Sequence, residues 1–308
     1  MTPTPKISLI IPTRNRVSEL ARCLSLLMVQ LPNDGSMDVH VCDDSDDSDG
    51  GETAEMLAQR FPVAKRHVGS RSGPGANRNL GARVAIGDWL IFLDDDCLPR
   101  AGLVASYLTE ISAAEPEANR VLSGPVLRND LMKDSLLWEA PHNPEDHELP
   151  PSCNFAMPRK TFLEAGGFDE RFRRSFEDME LFARLRALEI PFWFVAEAAV
   201  DHPSRPIPHP SKLALRWESR VISSFDFGAN VSAILWLLPK HILLVILSRF
   251  RGRKPSTENL RAGGIFLAEF AITMSLLPSW IRRYHSAPRS AFWAEQVKKG
   301  KAPWRFGL

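Results

Sequence analysis

Three consecutive carboxylates, Asp94, Asp95 and Asp96, follow the strongly apolar run DWLIFL of residues 88–93. Adjacent like charges repel each other, so this cluster is costly unless a cation neutralises it. Carboxylate oxygens suit Mg²⁺ or Mn²⁺, and either ion can bridge to the phosphate oxygens of a substrate. A solvated acidic loop is the plain alternative. The position of the cluster directly after an apolar strand favours the cation site.

Acidic residues also stand at two other points of the chain. The run DDSDDSDGGE of residues 43–52 follows the apolar segment MDVHVC. Glu177 and Asp178 precede a series of apolar residues at helical spacing. A helix N-terminus favours carboxylates through its free N–H groups and its dipole, so an ordinary helix cap is the plain interpretation of this pair.

The elements that must position these acids alternate along the first 202 residues. Strands are expected at residues 6–12, 37–42, 62–68 and 88–93, and helices at 20–28, 52–61 and 76–86. This rhythm is typical of an α/β fold with a mostly parallel sheet covered by helices. Ligands of such sheets bind beyond the carboxyl ends of the strands, which is where the first two acidic clusters lie.

Four segments in chain order resemble the inverting GT-A glycosyltransferases of family two, over about residues 6–202. They are IIPTRNR (10–16), CDDSDD (42–47), GPGANRNLGARVAIGDWLIFLDDD (73–96) and NFAMPRKTFLEAGGFDERFRRSFEDMELFARLRALEIPFWFVAEAAVDH (154–202). Each motif alone is weak, and their order and spacing carry the resemblance. It implies a Rossmann-like nucleotide-diphospho-sugar transferase fold and a metal-dependent, inverting hexosyltransferase that uses Mg²⁺ or Mn²⁺.

The resemblance also implies roles for individual residues. Asp178 is the expected general base, and Glu177 beside it is expected to be a positioning residue. Asp96 is the first choice for direct metal ligation, and Asp94 and His202 complete the metal or phosphate shell. If Asp94 and Asp96 share one side of an extended strand, Asp95 points to the other side, toward the ribose.

The donor site implied by the same resemblance is a nucleotide pocket in which a UDP-sugar is favoured. Its residues are Pro12, Thr13, Arg14, Asp43, Asp44, Arg78, Asp94 and Asp95. The backbone around Pro12 would line the base pocket, and Asp43 and Asp44 would accept hydrogen bonds from uracil or ribose. The planar fork of Arg78 would reach the base or the diphosphate. Relatives often carry an aromatic residue where this chain has Arg14.

Three other functions are compatible with parts of this pattern. Gly73-Pro-Gly75 followed by acids about twenty residues on imitates a dinucleotide fingerprint, but the third glycine position holds Arg78. A nucleotidyltransferase shares the sheet and the carboxylates, yet its N-terminal glycine-rich phosphate loop is not found. A non-catalytic nucleotide-sugar-binding or membrane scaffold protein of the same fold is the remaining alternative.

The composition is that of a globular protein. The chain has 308 residues, of which 44% are hydrophobic and 24% charged, which excludes a wholly disordered or fibrous protein. Its four cysteines are far apart and form no C-x-x-C pair, which argues against a disulfide framework or a structural zinc site. The N-terminal segment has no apolar stretch of signal-peptide length before its first polar break, so we expect a cytoplasmic protein.

The charge is divided unevenly along the chain. Residues 1–202 carry 21 Lys and Arg against 32 Asp and Glu, whereas residues 203–308 carry 17 against 5. The proline-rich segment 204–210 marks the expected boundary between a catalytic domain (1–203) and a helical extension (204–308). Residues 140–151, with four prolines, are expected to form a surface loop.

The basic C-terminal part has two long apolar runs, at residues 229–247 and 264–281. Pro239, Lys240 and Glu269 interrupt these runs, which disfavours a membrane-spanning helix. The flanking basic clusters suit helices that lie on an anionic membrane surface, and a packing subdomain or an oligomer contact is the alternative. We therefore expect a peripheral protein on the inner face of the plasma membrane. Its acceptor would be a glycan or a lipid-linked hydroxyl compound of the cell envelope, and no nucleic-acid partner is expected.

Overall fold

The computed structural model describes residues 6–113, 119–128, 132, 134–145 and 150–301. Two compact units make up the chain. The first comprises Met1–Leu131, Ala140–Arg173 and Glu177–Ser204, and the second comprises Met132–Glu139, Arg174–Phe176 and Arg205–Leu308. Part of the predicted loop at 140–151, namely residues 146–149, lies outside the described residues.

The described elements are numbered in chain order. The strands are β1 (Ile7–Thr13), β2 (Met37–Asp43), β3 (Ala64–Val68), β4 (Trp89–Leu93), β5 (Leu98–Pro99), β6 (Val121–Ser123), β7 (Val126–Leu127), β8 (Trp138–Glu139), β9 (Asn154–Pro158), β10 (Phe192–Phe194), β11 (Val200–Asp201) and β12 (Arg205–Pro206). The helices are α1 (Val17–Met28), α2 (Asp47–Arg60), α3 (Pro74–Val84), α4 (Leu103–Ser112), α5 (Arg159–Glu164), α6 (Glu177–Ala187), α7 (Pro210–Arg216), α8 (Glu218–Asp226), α9 (Val231–Phe250), α10 (Thr257–His285) and α11 (Ala291–Lys298).

A seven-stranded sheet forms the centre of the first unit, in the order β10-β6-β9-β4-β1-β2-β3. Strand β9 runs antiparallel to its neighbours β4 and β6, and the other neighbouring strands are parallel. The predicted α/β class with a mostly parallel sheet is therefore confirmed. A smaller sheet in the same unit has the order β5-β11-β7.

Strands β1 and β4 are buried along their whole length, as expected of parallel strands that helices cover on both faces. Side chains alternate between the two faces, so Leu9 and Ile11 pack in one apolar cluster while Ile10 and Phe92 pack in the other. Because β4, β1 and β2 are neighbours, their carboxyl ends lie side by side. This arrangement brings the segments after Thr13, Asp43 and Leu93 to one edge of the sheet.

The first turn of α2 lies within the segment that the sequence indicated as an acidic loop. Helix α2 begins at Asp47, and Asp46 before it has extended backbone angles. The acidic side chains of the first turn complement the positive end of the helix dipole, which explains why the helix starts five residues earlier than predicted.

The second unit is helical, with one short antiparallel pair, β12-β8. Its apolar core includes Phe225, Leu238, Phe266 and Trp280. Helix α9 runs unbroken through Pro239, where the sequence indicated an interruption of the apolar run 229–247. By length and composition alone α9 and α10 are both able to cross a membrane, a test that the core helix of a soluble protein also passes.

Candidate active site

The acidic triplet forms a turn rather than the end of an extended strand. Strand β4 ends at Leu93, and the Cys97 N–H donates to the Asp94 carbonyl at 3.2 Å. The Arg16 guanidinium donates through one nitrogen to both Asp95 Oδ1 at 3.1 Å and Asp96 Oδ2 at 2.7 Å. The expectation that Asp95 points away from Asp96 is therefore wrong, because the alternation of an extended strand stops one residue before the triplet.

Asp95 is buried, and both of its carboxylate oxygens accept hydrogen bonds from the protein. Thr13 Oγ1 donates to Asp95 Oδ2 at 2.7 Å, which ties the end of β1 to the triplet. Burial and repulsion from Asp96 raise the pKa of Asp95 to about 7, and the charge of Arg16 opposes this rise. These contacts support a role for Asp95 in holding the turn. The ribose contact of Asp95 that the sequence predicted stays a prediction.

Asp96 and His202 face each other across 3.1 Å between Oδ1 and Nε2. His202 Nδ1 lies 3.1 Å from the Pro203 carbonyl oxygen, which can only accept, so Nδ1 carries the proton of that bond. In the neutral ring Nε2 then directs a lone pair at a carboxylate oxygen. Two acceptors at this distance require a proton or a metal cation between them.

An imidazole nitrogen and a carboxylate oxygen are also ligand atoms for a divalent cation, which would take the place of that proton. Histidines that bind metals commonly donate their other ring N–H to a backbone carbonyl, as His202 does. Burial lowers the pKa of His202, but the hydrogen bond to Asp96 and the charges of Asp96 and Asp94 raise it more, so the pKa is raised overall. Cys97 Sγ is the third potential ligand atom of this cluster, in which all the atoms lie within 4.8 Å of one another. Burial raises the pKa of Cys97 well above its ordinary value, which keeps the thiol protonated.

Arg78 connects the acidic triplet to the pair at the start of α6. Its Nη2 lies 2.5 Å from Asp94 Oδ1, and its Nη1 lies 3.6 Å from Glu177 Oε1. The guanidinium is buried and sits 5.3 Å from the centre of the Phe168 ring. Burial alone would lower the pKa of Arg78, but the charges of Asp94 and Glu177 raise it overall.

Polar atoms in this cluster are left without hydrogen bonds. Within the described part of the chain, Arg78 Nε, Arg78 Nη1 and Glu177 Oε2 have no hydrogen-bond partner. Buried donors and acceptors of native proteins are nearly always satisfied, so each orphaned atom calls for a water or a ligand. Arg78 and Glu177 are therefore the positions of this cluster at which such a group is expected.

Glu177 and Asp178 occupy the first turn of α6. Asp178 Oδ1 accepts a hydrogen bond from the Met179 N–H at 2.8 Å, and Oδ2 lies 3.4 Å from the Ser152 N–H. Burial and the neighbouring charge of Asp178 raise the pKa of Glu177 to about 7, and burial raises the pKa of Asp178. A carboxylate whose pKa is raised toward neutrality is a better proton acceptor than an ordinary one.

Three predicted donor residues already have partners within the protein. Arg66 Nε donates to Asp43 Oδ2 at 2.9 Å, and Asp43 is fully buried. Asp44 accepts hydrogen bonds from the backbone N–H groups of Arg71 at 2.8 Å and Gly73 at 3.2 Å. Arg14 is exposed and lies 4.0 Å from Asp46. Asp43 and Asp44 thus shape the glycine-rich turn, and Pro12 is a buried member of β1.

Glycine is required at position 73 of that turn. Its φ angle is 106°, in the region that side chains disfavour, and a Cβ there would lie 2.5 Å from the Arg173 carbonyl oxygen. The next residue, Pro74, begins α3. The turn therefore sets the helix that carries Arg78.

Arg16 and Asn79 are site residues that the sequence did not single out. Asn79 holds the loop before α6 in place, because its amide donates to the Phe168 carbonyl and accepts from the Phe168 N–H, both at 2.8 Å. The only sequence signal for Arg16 was its place in IIPTRNR, where the nearby Arg14 is equally basic. The structure brings five of the predicted residues into two groups of contacts, Asp94–Arg78–Glu177 and Asp96–His202.

Comparison with known proteins agrees with this architecture. Residues 8–126 match the family model of glycosyl transferase family 2. A pre-mycofactocin glycosyltransferase of Mycobacterium tuberculosis is 30% identical over 212 residues, which cover 64% of this chain and 43% of that protein. The chain thus spans less than half the length of this curated relative. The match over residues 8–126 confirms the resemblance to glycosyl transferase family 2 that the motifs predicted.

Solved structures share the fold at low sequence identity. GalNAc-T7 with UDP, GalNAc and Mn²⁺ is similar at a TM-score of 0.56 and 15% identity, over 94% of this chain and 60% of that chain. The mannosyltransferase PcManGT of Pyrobaculum calidifontis, in complex with GDP-Man and Mn²⁺, gives a TM-score of 0.52 at 16% identity, over 98% and 81% of the two chains. The GT-A fold is therefore confirmed.

Proposed function

We propose that the protein is a metal-dependent glycosyltransferase that moves a hexose from a nucleotide-diphosphate donor, a UDP-sugar by preference, to a hydroxyl acceptor with inversion. The observation that carries this proposal is the presence of the contacts Asp96–His202 and Asp94–Arg78–Glu177 at the carboxyl edge of the sheet, beside the end of β4. The match of residues 8–126 to the family model of glycosyl transferase family 2 supports the sugar transfer. The nucleotides and Mn²⁺ of the two similar structures support the donor class and the cation.

Asp178 is the general base of the proposed reaction, and Glu177 is a positioning residue. Asp178 takes the proton of the acceptor hydroxyl as that oxygen forms a bond to the anomeric carbon. The bond from the anomeric carbon to the diphosphate oxygen breaks, and its electron pair leaves with the diphosphate. One displacement from the face opposite the leaving group inverts the anomeric centre.

Asp96 and His202 would hold the divalent cation, with Asp94 nearby. When bound, the cation supplies positive charge that stabilises the leaving diphosphate. Arg78 is the shared counter-charge that holds Asp94 and Glu177 in place. Pro12, Thr13, Asp43 and Asp44 form the walls of the nucleotide pocket, mostly by shaping the backbone.

The two parts of the chain, which differ in charge, have different roles in this proposal. Residues 1–203 act as the catalytic domain, and the helical extension 204–308, which is strongly basic, brings the enzyme to an anionic surface. We propose that the protein works at the inner face of the plasma membrane, on a glycan or lipid-linked acceptor of the cell envelope.

Donor cleavage and its stereochemistry test the proposal. Purified protein is incubated with UDP- and GDP-sugars and Mn²⁺ or Mg²⁺, and release of the nucleoside diphosphate and the anomeric configuration of the product are followed by NMR. We expect cation-dependent release from one donor and a product of inverted configuration. A retained configuration would exclude the single displacement. Binding of the donor without cleavage or transfer to any acceptor would favour a non-catalytic nucleotide-sugar-binding protein.

A further inference from the structure

Helix α9 buries one narrow stripe of side chains and exposes an apolar remainder. The buried residues recur every fourth position, at Ile234, Leu238, Ile242 and Ile246. Large apolar residues are exposed on the other sides of the helix, namely Leu235, Trp236, Leu237, Leu243, Leu244 and Leu247. An ordinary surface helix carries polar residues there. A contiguous exposed apolar face marks an interaction surface.

The most exposed of these side chains lie together. Trp236 is 77% exposed, Leu247 57% and Leu244 55%. Positions three, four and seven apart share one side of a helix, so Trp236, Leu243 and Leu247 form a row opposite the buried stripe. Lys240 lies in the same row and is the one charged residue within it.

The charge around this face has a single sign. Residues 228–257 contain five cationic residues and no acidic residue. Four of the five follow one another at the end of α9, at Arg249, Arg251, Arg253 and Lys254. Arg249 and Arg253 contact other groups of the second unit, namely Glu269 and the Asp134 carbonyl. Arg251, Lys254 and Lys240 are exposed and face the solvent.

We infer that the exposed face of α9 lies on an anionic lipid bilayer, in the plane of the interface. Trp236, Leu244 and Leu247 enter the boundary of the acyl chains, and Arg251 and Lys254 meet the headgroups. Lys240 fits this orientation because its stem lies along the apolar surface while its ammonium reaches the headgroups. An apolar protein partner would instead leave that charge without water or a counter-charge.

This inference deepens the membrane part of the proposed function and rests on it, but it does not depend on the transfer chemistry. Lipid binding is measured in the absence of nucleotide and metal. Donor cleavage is measured on the same preparations without vesicles. Failure of one measurement therefore leaves the other intact.

Sedimentation of the full chain with vesicles is the test. Vesicles of phosphatidylglycerol and phosphatidylcholine should pellet the protein at low salt, and pure phosphatidylcholine vesicles should pellet less. Salt at about 0.1 M already screens charges that are more than about 10 Å apart. Salt at about 0.5 M should therefore remove the electrostatic part of the binding and release only part of the bound protein. The variant Trp236→Ser/Leu244→Ser/Leu247→Ser should lose the salt-resistant part, with vesicle affinity falling at least about tenfold.

A matched control removes equally exposed apolar side chains from the first unit. Val29 is 83% exposed and Val63 and Val68 are exposed as well, so Val29→Ser/Val63→Ser/Val68→Ser should bind vesicles like the wild type. The charge variant Arg251→Glu/Lys254→Glu should weaken the low-salt binding and spare the salt-resistant part. Quenching of tryptophan fluorescence by brominated lipid is a second measurement, which does not require a loss of binding. The Trp236→Phe variant keeps an apolar side chain at this position, so it should still fold and bind while the quenching disappears.

Several results would overturn the inference. One is a wild type that does not bind the anionic vesicles at low salt. Another is an α9 variant that binds them as tightly as the control variant, or lipid quenching that survives in Trp236→Phe. A third is a stable wild-type oligomer in sedimentation velocity that the α9 variant converts to monomers, because a second copy of the chain would then cover this face.

Discussion

Arg16 Nη1 lies 2.7 Å from Asp96 Oδ2, on the carboxylate that we propose as the principal metal ligand. The other oxygen of Asp96 faces His202. Arg16 thus supplies the positive charge that a divalent cation would bring to the same group. A cation between Asp96 Oδ1 and His202 would share the Asp96 carboxylate with this guanidinium, and the two positive charges would repel each other.

Replacement of Arg16 should therefore strengthen metal binding in the absence of donor. The Arg16→Gln side chain keeps a donor for Asp95 and removes the competing charge. Since Arg16 is partly exposed, the interaction is screened, and we expect a gain of about 1 kcal/mol, or about fivefold in Mn²⁺ affinity. Titration of free Mn²⁺ by electron paramagnetic resonance measures it. Unchanged or weaker affinity would show that Arg16 and the metal do not compete.

Asp96→Asn should remove the metal-dependent part of nucleotide binding. The amide keeps the shape of the side chain but withdraws the anionic ligand, so calorimetry should show a loss of at least about a hundredfold, or about 2.7 kcal/mol, in Mn²⁺-dependent affinity for UDP or GDP. Circular dichroism should show an unchanged fold. Asp47→Asn is the matched control, because Asp47 is an exposed acid in the first turn of α2. Metal-dependent binding that persists in Asp96→Asn would require another principal ligand.

Arg78 should be one of the most sensitive positions of the first unit. Arg78→Met leaves Asp94 and Glu177 without their shared counter-charge, and loss of one partner of a buried ion pair costs about 3–5 kcal/mol. Arg78→Lys keeps the charge but cannot reach both carboxylates, so an intermediate loss is expected. Urea unfolding measures both. Arg83 lies on the same helix as Arg78 and forms an exposed ion pair with Glu170, so Arg83→Lys should change stability by less than about 1 kcal/mol.

A pair of histidines away from the candidate site should make stability depend on pH. His40 Nδ1 lies 2.9 Å from His67 Nε2, and the two rings stack with their centres 5.1 Å apart. Burial lowers the pKa of both imidazoles in the folded protein. At these two positions the unfolded chain binds more protons once the pH falls below the ordinary histidine value of about 6.5, so the stability that the pair contributes is full above that pH and decreases below it.

His67→Gln should make this decrease smaller. Urea unfolding at pH 7, 6 and 5 gives the free energy of unfolding of wild type and variant. His142→Gln, at an exposed histidine, should follow the pH dependence of the wild type. If His67→Gln loses as much stability between pH 7 and 5 as the wild type, the His40–His67 contact is not the source of the effect.

Local features of the sequence were enough to predict the edge of the sheet where the candidate site lies. An apolar run that ends in charged residues fixes both a strand and its end, so the expected start of β1, the position of β2 and the end of β4 agree with the structure to within one residue. The side of the sheet to which the Asp95 side chain points was not predictable in this way, because it depends on the residue at which β4 ends and the turn begins.

Contacts between distant segments could not be predicted from local patterns. Arg78 joins Asp94 to Glu177 across about a hundred residues of chain, and this contact exists only because α3 and α6 pack in the same unit. The Arg66–Asp43 pair depends likewise on β3 lying beside β2. A basic residue near an acidic motif has several possible partners, and tertiary packing selects one of them.

The proton transfer to Asp178 is the centre of the proposed reaction, and Asp178→Asn tests it most directly. The amide keeps the shape of the side chain, and its oxygen can still accept from the Met179 N–H, but it cannot take the acceptor proton. With the donor that wild type uses, we expect turnover to fall about 10²–10⁴-fold while the calorimetric affinity for the donor changes by less than about threefold. Asp88 is an exposed acid that directly precedes β4, at the end of the strand away from the candidate site. The control variant Asp88→Asn should therefore retain wild-type turnover. A turnover of Asp178→Asn close to that of wild type would contradict the account and assign the base to another residue.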